Sequence, residues 1–121
     1  MIPRFIRIAV FAAACAVIVW LSVAPTTSLP QVTLWDKFEH AGAYFGLALL
    51  GSWAFPGRVW RLAIGLFLLG VGVEIAQATM GWGRTGDPLD ALANTIGVAL
   101  GLGLARLIGE RLMVKSPARG E

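Results

Sequence analysis

Charge, cysteine and histidine are all scarce in this chain of 121 residues. Charged residues make up 14% of it against 57% hydrophobic, about half the charge of a soluble domain, and that excludes a water-soluble globule. A chain this apolar does not lack surface to bury, which excludes intrinsic disorder. The single cysteine, Cys15, rules out an intrachain disulfide framework and a multi-cysteine zinc site. Its neighbours Ala12, Ala13, Ala14 and Ala16 give it an inert packing role. The single histidine, His40, rules out an H-E-x-x-H metal motif, and neither G-x-S-x-G nor a phosphate-binding loop occurs. The net charge is +3, but the basic residues are scattered, with no cluster beside groove-reading or stacking elements. Nucleic acid is therefore not an expected partner.

What the chain does have is long apolar runs. Each of four is about the twenty residues a helix needs to cross a bilayer: 6–24, 38–55, 60–80 and 89–108. The predicted fold class is all-α, an integral membrane four-helix bundle. Residues 1–5 form a short N-terminus, 6–112 the four-helix domain and 113–121 a charged tail. Pro56-Gly57 marks the turn after the second run, and Gly81 to Pro88 a compact loop after the third. Arg4 and Arg7 before an apolar run outline a signal peptide. The run is long for one, three more spans follow, and Pro25 at the cut site opposes cleavage, so the first helix is expected to stay.

If the helices alternate across the membrane, Arg4, Arg7, Arg58, Arg61, Arg106, Arg111, Lys115 and Arg119 share one side, and only Lys37 and Arg84 the other. The positive-inside rule then puts both termini of a multi-pass membrane protein in the cytoplasm. Trp35 and Trp82 fall at the outer boundary, Trp53 and Trp60 at the inner one, as an aromatic belt requires.

The acidic residues Asp36, Glu39, Glu74, Asp87 and Asp90 gather on the outer side with His40, Gln77, Arg84 and Asn94. Charge in or beside a span is costly, so such a cluster faces protein, water or a function. Asp36, His40 and Tyr44 are spaced i, i+4, i+8, Glu74 and Gln77 i, i+3, and Asp90 and Asn94 i, i+4, so helices two, three and four each present a polar stripe at one depth. Glu74, about 9 Å below the outer end of its helix, is the deepest acid. It needs a partner: His40, Arg84 from the loop, or its own proton. Asp90 and Asp87 are equally good candidates for the N-cap of helix four, and for Asp87 capping is preferred to a direct role in a site. Gly42 and Gly46 on helix two, and Ala93, Gly97, Gly101 and Ala105 on helix four, form ridges that permit close approach within the chain or between copies.

These residues read D-K-F-E-H-A-G-A-Y from Asp36 to Tyr44, V-E-I-A-Q around Glu74 and Gln77, and R-T-G-D-P-L-D-A-L-A-N-T-I-G from Arg84 to Gly97. The pattern resembles the VanZ-like membrane proteins, named for an accessory glycopeptide (teicoplanin) resistance protein. The resemblance spans roughly residues 34 to 104 and includes the first helix only as a generic apolar span. The resemblance implies a setting, the inner membrane of the bacterial envelope, and no particular reaction.

The expected function is recognition of a cell-envelope lipid or lipid-linked cell-wall precursor in an outward polar pocket. That pocket is built from helices two to four and the 81–88 loop, with Asp36, Lys37, His40, Tyr44, Glu74, Gln77, Arg84, Asp87, Asp90 and Asn94 as ligand-binding residues. Arg84 and Lys37 would meet phosphate or carboxylate. Two alternatives stay open. One is an enzyme with His40 or Glu74 as acid or base and Arg84 stabilising developing negative charge. The other is a scaffold in which the polar groups only register the helices. His40, Glu74, Asp87 and Asp90 include donor types that hold divalent ions, but no ligand motif links them, and neither metal nor cofactor is assigned.

Overall fold

The structure is a computed structural model that describes residues 2–24, 34–79 and 87–115, with side chains of 34–36 and 110–115 set aside. Four α-helices make up nearly all of it: α1 (Arg4–Val23), α2 (Leu34–Ala54), α3 (Val59–Thr79) and α4 (Pro88–Lys115). No strand occurs among the described residues. Helix ends fall within a few residues of the apolar runs, except that α2 begins earlier than the expected 38 and α4 runs past the expected 108 to Lys115. In both cases hydrogen-bonded helix continues into charged sequence, where apolarity no longer marks it.

By length and composition α1, α3 and the stretch Pro88–Gly109 of α4 can each cross a bilayer. The 21 residues of α2 reach about 31 Å, the thickness of the hydrocarbon core, but its first turns carry Asp36, Lys37, Glu39 and His40. The outside of the bundle is apolar, with Trp20, Phe38, Trp60, Ile64, Phe67, Leu92 and Leu100 all exposed. In water such a surface would aggregate; against lipid it costs nothing.

The buried faces follow helical spacing. On α3 they are Leu62, Leu66, Gly70, Val73, Glu74 and Gln77, one stripe that is apolar at its start and polar at its end. On α4 the stripe runs Asp90, Ala93, Asn94, Gly97, Val98, Gly101 and Leu102. The apolar half of the bundle is a core of Tyr44, Leu47, Ala48, Leu62, Leu66, Val98 and Leu102. Phe11 of α1 packs edge-on against Phe55 at 5.9 Å between ring centroids, and Arg7 Nη1 donates to the Trp53 carbonyl at 2.7 Å. Between α2 and α3, Pro56-Gly57 makes the expected turn, and Gly57 holds the left-handed φ of 76° that only glycine adopts freely.

The tightest pair is α2 with α4, two helices that run parallel although α3 separates them in sequence. Gly97 lies so close to the Ala41 carbonyl that no Cβ fits there, and a Cβ on Gly101 would sit 2.6 Å from Ala48 Cβ and 2.7 Å from the Phe45 carbonyl oxygen. The helix-four ridge is thus a contact surface within the chain, as the small residues permit. The helix-two pair is not: the space around Gly42 and Gly46 is open. Both lie off the face that α2 turns toward α4, which is formed by Ala41, Phe45 and Ala48.

Candidate functional site

The polar ends of α2, α3 and α4 meet at one end of the bundle, and Asp87 is their junction. Its carboxylate Oδ1 accepts from the Leu89 N–H at 3.0 Å and its carbonyl from the Asp90 N–H at 2.9 Å, with Pro88 at the first helical position, where a missing N–H costs nothing. Asp87 is therefore the N-cap of α4, and Asp90 lies in the first turn. The Asp87 N–H donates to Glu74 Oε2 at 2.8 Å. Lys37 Nζ donates to Asp87 Oδ2 at 2.6 Å and also to Asp90 Oδ1. On its other side, Asp90 Oδ2 faces His40 Nε2 at 3.5 Å. One ammonium thus ties α2 to two carboxylates of α4, and the Lys37 bond holds the Asp87 carboxyl below the usual carboxylate range.

His40, Glu74 and Asp90 form one layer, each offering a ligand atom within 4.8 Å of the others. One helical turn deeper lie Tyr44, Gly70 and Asn94. A Cβ on Gly70 would be 3.3 Å from Asn94 Nδ2 and 3.5 Å from Tyr44 Cε2, so the absent side chain gives these two room. Burial is nearly complete: 1% exposure at Tyr44, 2% at Asn94 and 8% at Glu74. Yet Tyr44 Oη, Glu74 Oε1, Gln77 Oε1 and both amide atoms of Asn94 have no hydrogen-bond partner among the described residues. Unsatisfied polar atoms in a packed interior cost about 1–3 kcal/mol each.

Beside this cluster is a cavity of about 240 Å³ lined by Ile18, Leu21, Ser22, Glu39, His40, Ala43, Tyr44 and Gln77. The first helix, expected to be a generic span, thus forms one wall of it. It also provides the Ser22 carbonyl that accepts from Gln77 Nε2 at 2.8 Å. Only the apolar character of α1 is visible in sequence, and a backbone carbonyl leaves no residue signature.

Among the sequence-derived site residues, Lys37, His40, Glu74, Asp87 and Asp90 make one connected set, Tyr44 and Asn94 sit below it, and Gln77 faces the cavity. Arg84 and the Asp36 side chain lie outside the described residues. Among the described residues Glu74 accepts a hydrogen bond from the Asp87 backbone N–H, a partner not expected from the sequence, and His40 lies within 4.8 Å of it. Three carboxylates face one ammonium and one imidazole, so the described part of the cluster is acidic.

The sequence model of the VanZ/LLP1 family matches residues 6–109, a span that includes every element of the cluster. No curated protein and no solved structure matches the chain. Three helices fit to cross a bilayer, an exposed apolar exterior and that match agree: this is a membrane protein, and it belongs to the VanZ/LLP1 family.

Proposed function

We propose that the protein recognises the head group of a cell-envelope lipid or lipid-linked cell-wall precursor at the polar end of its bundle, and through it contributes to glycopeptide tolerance, the setting of its family. The observation that carries this reading is the set of buried polar atoms at Tyr44, Glu74, Gln77 and Asn94 that have no partner among the described residues. Polar contacts that serve only to hold membrane helices together contribute about 0.6 kcal/mol each, less than an unsatisfied group costs. The unpartnered acceptors suit hydroxyl and amide donors of a sugar- or peptide-bearing head group, and Arg84, three residues before Asp87 in sequence, suits its phosphate.

All four helices span the membrane in this reading, α2 with its charged first turns at the outer boundary. Both termini are cytoplasmic, on the side where Arg7 meets Trp53, and the polar cluster faces outward. Native mass spectrometry of gently extracted protein tests the site. Wild type is expected to retain an envelope lipid that Glu74→Gln and Arg84→Gln each lose in large part. Equal retention in all three overturns the reading.

A further inference from the structure

We propose that His40, Glu74 and Asp90 bind one divalent transition-metal ion, of the Zn²⁺ or Mn²⁺ kind, at the junction of α2, α3 and α4. The site goes beyond head-group recognition and does not depend on it: it takes Glu74 Oε1 for the ion and leaves Tyr44, Gln77 and Asn94 to a head group. No spacing in the sequence announces it, because the three residues come from three helices and only the fold joins them.

The three side chains converge closely enough to share one ion. A nitrogen of His40 and a carboxylate oxygen from each acid lie within 4.8 Å of one another, and His40 Nε2 is 3.5 Å from Asp90 Oδ2. Two ligands bound about 2.0–2.1 Å from one tetrahedral ion are about 3.4 Å apart, so that pair already has a chelating separation. Glu74 completes the set. Its Oε1 has no partner among the described residues, in a side chain only 8% exposed.

Each carboxylate is held by one oxygen and offers the other. Glu74 Oε2 takes the Asp87 N–H at 2.8 Å, and Asp90 Oδ1 takes the Lys37 ammonium, which leaves Glu74 Oε1 and Asp90 Oδ2 for an ion. Such outer partners fix the orientation of metal ligands. One imidazole with two carboxylates selects a transition metal over Mg²⁺ or Ca²⁺, and three protein ligands leave a coordination position open. Two carboxylates also balance the ion's double charge where the dielectric is low. The 240 Å³ cavity, with His40 in its wall, is a way in.

Chelator-treated full-length protein in detergent is titrated with Zn²⁺, Mn²⁺ or Mg²⁺ alone, and bound metal is counted by elemental mass spectrometry after free ion is removed. One Zn²⁺ or Mn²⁺ per chain is expected, with Mg²⁺ far weaker. His40→Ala and Glu74→Gln should each weaken binding more than about 100-fold, beyond the effect of losing an outer partner. No saturable binding to wild type, or equal affinity in the variants, overturns the site. Should His40→Ala fail to fold, the nearly isosteric Glu74→Gln and Asp90→Asn decide. No lipid enters the assay, so metal bound by a protein that retains no lipid overturns only the head-group reading, and lipid retained by a metal-free protein overturns only the metal site.

Discussion

Asp87 uses all four of its polar atoms: N–H to Glu74, carbonyl to Asp90, Oδ1 to Leu89 and Oδ2 to Lys37. Its carboxyl is held below the usual range by Lys37. The stabilisation this brings is present at neutral pH, where the group is ionised in folded and unfolded chains alike. It is lost as pH falls below about 4 and through the lowered value. Thermal unfolding in detergent should therefore show a drop in midpoint on the acid side, and Asp87→Asn should lower the neutral midpoint and flatten that drop. An unchanged acid limb in the variant removes Asp87 from the account. At this scale the sequence is informative about which side chains meet. Helical spacing puts His40, Glu74 and Asp90 at one level, and the D-P-L-D run marks a cap. It cannot reveal that Glu74 is met by a backbone amide, since every residue but proline has one.

Among the elements, the α2–α4 contact positions everything else. A methyl group on Gly97 has no space against Ala41, so Gly97→Ala should destabilise the bundle by about 1–3 kcal/mol, the range for overpacking. Gly46→Ala enters open space and should be neutral or stabilising by up to about 1 kcal/mol through helix propensity. Thermal melts of the two variants side by side measure the difference, and equal melts contradict the packing described. The helix-four ridge was legible from its small residues because α4 has one crowded face. Gly42 and Gly46 looked equivalent, but small side chains only permit approach. Which side of α2 meets α4 depends on Ala41, Phe45 and Ala48, and a pattern of single-helix spacings does not contain that choice.

For the whole molecule, the proposed orientation makes a direct forecast. In Cys15→Ala cells, a cysteine placed at Thr85 should react with a membrane-impermeant thiol reagent added outside, and one at Arg58 only after the membrane is opened; the reverse pattern inverts the topology. That four helices exist was readable from run length, while the path between them was not, because apolar residues face lipid and neighbour helices alike. The parallel contact of α2 with α4 also bears on how the protein is made. Lys37 emerges from the ribosome fifty residues before Asp87, so the helix with the poorest claim to the bilayer is synthesised long before the carboxylates that neutralise it. Only a chain completed through α4 contains the assembled polar end, and a nascent chain stopped short of residue 87 carries an ammonium without those carboxylates at the membrane.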